Sequence, residues 1–141
     1  MKILVGYNGS AAAQAALELA RDHARAMEAR LIVVTSTVGG PRETADDIAW
    51  VAGKLNEARL RIESSGVRCE VRELVRGMSA GEDLVRFAAD NAVDLIYVGV
   101  EKKSKTQKMI LGSNAQYVIL KAPCPVMTVK EGLRRPLPGR G

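Results

Sequence analysis

Five short apolar runs, each separated from the next by a longer stretch of helical periodicity, constrain this chain more than any other feature. The runs are Ile3-Leu4-Val5, Leu31 to Thr37, Val67 to Leu74, Val93 to Val98 and Val126 to Val129. The second is apolar on both faces, which suits a strand covered by helices on each side. The third alternates: Val67, Cys69 and Val71 share one face, and Arg68, Glu70 and Arg72 the other. That pattern predicts a half-exposed edge strand. Pro125 at the start of the fifth run also suits an edge, because proline cannot donate to a ladder. Strands that alternate with helices predict a parallel sheet with right-handed crossovers and helices on both faces.

The intervening segments carry helix signals. Ser10 is a suitable N-cap for a helix over 11–27, in which Ala12, Ala16, Leu19 and Ala20 form the apolar stripe. The alanines let this helix lie close to a sheet. A second helix is predicted over 43–64, closed by Ser65-Gly66. Trp50, the single tryptophan, is placed at the edge of the core. Ser79 with Glu82 three residues later starts a third helix that runs to Asn91. A fourth opens at Gly112-Ser113, with Ser113 as its cap, and is stopped by Ala122-Pro123-Cys124-Pro125. His23 falls on the polar side of the first helix, where it is expected to be solvated.

Composition narrows the function classes. A chain of 141 residues fits one domain with a sizeable core. No apolar stretch approaches the ~20 residues of a membrane span, and the opening lacks a signal-peptide pattern, so a cytoplasmic location without membrane insertion is expected. Cys69 and Cys124 show no metal-ligand spacing and are expected to be reduced thiols. Of the net charge of +5, the segment from Lys130 onward holds Lys130, Arg134, Arg135 and Arg140 against Glu131, which leaves +2 for the rest. Residues 1–130 therefore read as the domain and 131–141 as a basic, flexible tail rich in proline and glycine. A short basic tail without aromatic residues is a poor nucleic-acid site, and that partner class is set aside.

Ligands of such sheets bind beyond the carboxyl ends of the strands, where strand order reverses. Two glycine-containing polar loops fall there: Tyr7-Asn8-Gly9-Ser10, and the stretch from Gly99 to Ser113 that carries Lys102, Lys103, Lys105 and Lys108. In the second, a strand ending at glycine leads through a basic loop into a helix start. Free backbone N–H groups and the positive end of the helix dipole then favour an anion. If the first and fourth strands are neighbours, both loops line one crevice and the strand order is 3-2-1-4-5.

These residues resemble the universal stress protein domain over 2–130. Ile3 to Ser10 is similar to that family's first strand and turn. Gly99, Gly112 and Ser113 match its nucleotide motif of Gly-x2-Gly-x9-Gly followed by Ser or Thr. Ala122-Pro123-Cys124-Pro125-Val126 is similar to its entry into the last strand. Lys102 stands at the place of the second glycine, and Asn8 at the usual Asp before Gly-Ser. Lys102 offers a cation where glycine offers space; Asn8 can accept and donate hydrogen bonds but carries no charge.

The resemblance implies a three-layer α/β sandwich of the adenine nucleotide alpha hydrolase type, acting as a stress-response binding or signalling module. It implies ATP or a related adenine nucleotide, with Mg²⁺, as the ligand. Tyr7, Asn8, Ser36 and Val98 would surround adenine and ribose. Gly99, Lys102, Lys103, Gly112, Ser113 and Asn114 would meet the phosphates. No Ser-His-Asp or Cys-His set can be assembled, so a binding role rather than catalysis is expected. The alternative is a nucleotide-independent homodimer that pairs through the apolar fifth strand.

Overall fold

The computed structural model describes residues 1–37, 44–101 and 111–132. The elements alternate as the apolar runs require: β1 (Lys2–Gly6), α1 (Ala11–Met27), β2 (Arg30–Thr37), α2 (Ala45–Ser64), β3 (Cys69–Val75), α3 (Ala80–Asp90), β4 (Leu95–Val100), α4 (Ser113–Lys121) and β5 (Val126–Lys130). All strand pairs are parallel, and the order is β3-β2-β1-β4-β5. The expected sheet and its order are both present. Cys69 and Cys124 lie toward opposite edges as free thiols. Residues 133–141 of the expected tail lie outside the described residues.

Side-chain alternation splits the core between the two faces of the sheet. Ile3, Val5, Leu31, Val33, Tyr97 and Val129 pack under α1 and α2. Leu4, Ile32, Val34, Ile96 and Val98 pack under α3 and α4, with Leu84, Phe87 and Val118. The small residues of α1 bring it very near the sheet: a Cβ on Gly99 would lie 2.5 Å from the backbone of Ala12. Gly99 is thus inside β4, opposite Val129, and not at the head of a loop. The fourth strand starts and ends two residues later than the apolar run suggests.

Three local expectations are corrected. His23 is half-buried, and its Nδ1 is hydrogen-bonded to the hydroxyl of buried Tyr97, with the rings edge-to-face at 5.5 Å. The first helix lies so close to β4 that even its polar margin reaches the sheet. Trp50 is 54% exposed and rests on the main chain of Gly9, where a Cβ would meet its ring at 2.6 Å. It covers a turn instead of the core edge, because only the C-terminal half of α2 is docked, through Leu55, Ala58 and Ile62. Finally, Gly112 is the N-cap of α4, and Ser113 is its first helical residue.

Candidate functional site

Strand β1 is the short strand of the sheet centre. It ends at Gly6, paired with Val34, whereas β2 continues to Thr37 and β4 to Val100. The early end of β1 leaves a notch between its two neighbours at their carboxyl ends. A cleft of about 440 Å³ occupies it, a size suited to a small organic ligand. Its floor is apolar, with Val34, Leu84, Val98 and Val118; its rim is polar, with Asn8, Ser10, Ser36, Glu101, Ser113 and Asn114.

Three helix N-termini meet this cleft, and they differ in how their first-turn N–H groups are used. In α1, Ser10 Oγ accepts from Ala13 N at 3.1 Å, and Asn8 Oδ1 in turn accepts from Ser10 N at 3.0 Å. In α3, Ser79 Oγ accepts from Glu82 N, and Gly81 N donates to Asn114 Oδ1 at 2.9 Å. A side chain at Gly81 would collide with Asn114, so this glycine lets α3 and α4 approach. In α4, no side chain among the described residues caps the helix, and no acidic residue sits in the first turn. The first-turn N–H groups and dipole of α4 make its start the end of the cleft with the chemistry to favour an anion.

The structure brings together Tyr7, Asn8, Ser36, Val98, Gly99, Gly112, Ser113 and Asn114, all of which line the cleft. Lys102 and Lys103, with Lys105 and Lys108, lie outside the described residues. Several of the assembled groups already have partners. The Tyr7 ring belongs to the core under α1 and α2, and its hydroxyl donates to Gln14 Oε1 at 3.1 Å; burial is the main reason its phenol is pushed up from the usual range. Asn114 uses its carbonyl oxygen on α3. Ser36 Oγ donates to Asp83 Oδ2 at 2.7 Å.

Sequence reasoning missed the contribution of α3. Ala80, Gly81 and Leu84 form one wall. Asp83, 0% exposed, lies behind Ser36 and is gripped by the Arg76 guanidinium. The available signal was the same as for the other loops: a turn, Gly77-Met78-Ser79, followed by a glycine in a helix's first turn. Neither thiol belongs to the cleft. Burial, aided by Glu63, pushes Cys69 up to about 11, and burial also raises Cys124.

A model of the Universal stress protein family matches residues 1–130. A universal stress protein of Mycolicibacterium smegmatis is 30% identical over 91% of this chain and 96% of its own length. Among solved structures, a universal stress protein of Archaeoglobus fulgidus superposes with a TM-score of 0.83 at 37% identity, covering 92% of this chain and 98% of that one. A structure of the universal stress protein from Archaeoglobus fulgidus in complex with dAMP superposes with a TM-score of 0.77 at 33% identity, over 92% of this chain and 98% of that one.

Proposed function

The chain belongs to the universal stress protein family, and on that premise we propose that it is a stress-response binding module that takes ATP or a related adenine nucleotide in the cleft above β1. The observation that carries this reading is the polarity of the cleft. One end is the uncapped start of α4 at Gly112-Ser113, which suits phosphate. The other, toward β2, is walled by Val34 and Leu84 beside Ser36, which suits a planar base. A dAMP complex of a relative at 33% identity supports a ligand of this class. In this reading Asn8 and Ser36 face the nucleoside, while Gly99, Gly112, Ser113 and Asn114 surround the phosphates. Lys102 and Lys103, which follow β4 in the sequence, are assigned to the same phosphates by the family resemblance alone. Glu101, on the same rim, offers a carboxylate to a bound Mg²⁺.

Calorimetric titration with ATP, with and without Mg²⁺, tests the reading. Binding is expected, together with a rise in thermal midpoint that grows with nucleotide concentration, as linkage requires. The absence of both heat and stabilisation at saturating nucleotide would refute it. Lys102→Gly sharpens the result: weaker binding identifies the lysine as a phosphate ligand, and stronger binding shows that it obstructs the cleft.

A second reading rests on a different surface. Tyr117, Ile119 and Leu120 of α4 and Met127 of edge strand β5 are exposed. Such a surface suits a homodimer that works without nucleotide.

A further inference from the structure

Arg76, Asp83 and Ser36 form a chain of hydrogen bonds that runs from the outside of α3 into the cleft. We propose that this chain fixes the direction of the Ser36 hydroxyl and so makes the β2 end of the cleft selective for a base that donates a hydrogen bond, the 6-amino purine over its 6-oxo counterpart. The inference rests on the nucleotide reading and names the group that selects the base.

The argument is one of proton positions. The Arg76 guanidinium holds Asp83 Oδ1 and also donates to the Asp83 main-chain carbonyl at 3.3 Å. A guanidinium has donors and no acceptor, and a carboxylate paired with it has acceptors and no proton to give. Ser36 Oγ lies 2.7 Å from the remaining oxygen, Asp83 Oδ2. Between a carboxylate and a hydroxyl, only the hydroxyl can donate. The single proton of Ser36 is therefore committed inward, and its oxygen presents lone pairs to the cleft it lines.

Asp83 is fully buried, so water does not compete for this arrangement. Arg76 and Asp83 are positioning residues: neither lines the cleft, and both act through Ser36. The base belongs at this end because the phosphate-binding start of α4 lies beside β4, across the notch from β2. Val34 and Leu84 beside Ser36 give the slot its apolar walls. An exocyclic amino group donates to the Ser36 oxygen. A carbonyl at the same place sets lone pairs against lone pairs and leaves both without a partner.

The test compares dissociation constants for ATP, purine riboside triphosphate and ITP, whose 6-positions carry a donor, no substituent and an acceptor. Wild-type protein is expected to bind them in that order, with ATP at least about tenfold tighter than ITP. Ser36→Ala, at a half-buried position, is expected to bring the ATP and ITP constants within about threefold of each other. Asp83→Asn supplies an amide donor to Ser36 and turns its proton toward the cleft; the expected result is a reversed preference. If Asp83→Asn does not fold, Ser36→Ala decides alone. Equal binding of ATP and ITP by the wild type, or a preference that survives Ser36→Ala, would overturn the inference while leaving the nucleotide reading intact. Failure of the wild type to bind any of the three would overturn the nucleotide reading, and the inference with it.

Discussion

At the scale of single residues, Gly99 has the sharpest structural demand. A Cβ there would sit 2.5 Å from the carbonyl carbon and oxygen of Ala12 and 2.8 Å from Ala13 N. These are backbone atoms at the start of α1, so the collision cannot be relieved by turning a side chain. Gly99→Ala is expected to destabilise the fold by about 3 kcal/mol, the upper range for overpacking a core. The corresponding loss of thermal midpoint is roughly 10 °C for a domain of this size, measured by calorimetry without nucleotide. An unchanged midpoint accompanied by lost nucleotide binding would reverse the assignment, giving the glycine to the ligand and not to the helix. Gly9 has a different reason. Its φ of +82° is in the left-handed region, and Trp50 occupies the space a side chain would need.

At the scale of elements, α2 is docked along only part of its length. Its buried residues, Leu55, Ala58 and Ile62, all lie in the C-terminal half. The N-terminal half exposes Ile48 and Trp50 and is held by its cap. Thr44 Oγ1 accepts from Asp47 N at 3.1 Å, and Asp47 Oδ2 accepts from Thr44 N at 3.3 Å, a reciprocal pair. Thr44→Ala is expected to cost about 1 kcal/mol of local helix stability. Because so little core is attached there, amide exchange over 45–54 should accelerate while the strands keep their protection. Hydrogen exchange read by mass spectrometry distinguishes this from a global effect: equal loss of protection in β1 and β4 would mean that the whole of α2 is coupled to the sheet. The same half-docked helix places the indole of Trp50 on the turn beside the cleft, with Lys54 Nζ 5.7 Å from the ring centroid.

At the scale of the whole molecule, the two sheet edges are unequal. Edge strand β3 carries Arg72, Glu73 and other charged residues, including an Arg72–Glu70 ion pair, the kind of edge that resists pairing. Edge strand β5 exposes Met127, and α4 exposes Tyr117, Ile119 and Leu120, the last at 79%. A dimer formed on the β5 side is the expected outcome of sedimentation at micromolar concentration. Leu120→Glu, at a side chain that supports no core, is expected to shift the population to monomer without lowering the monomer's stability. A wild type that sediments as a monomer would remove the homodimer reading.

The sequence by itself determined the sheet. Short β-branched runs spaced by amphipathic segments admit parallel strands with helical crossovers, and the placement of the polar loops implied the order 3-2-1-4-5. It also pointed to Tyr7, Asn8 and Ser10, to Gly99, and to the opening of α4 at Gly112-Ser113, all of which border the cleft. Each of these is a local signal, carried by periodicity or by a glycine at an element's end. The partners across space were decided only by the tertiary structure. His23 lies on the polar margin of its helix, yet it reaches Tyr97 because the alanines of α1 let it approach β4 so closely. Gly99 is needed for that same approach. The Ser36 hydroxyl is committed by Asp83 and Arg76, 47 and 40 residues away in sequence, which no periodicity could pair. Periodicity is a property of one segment and its own face, whereas hydrogen-bond direction and steric room belong to pairs of segments and exist only once the sheet has brought them together.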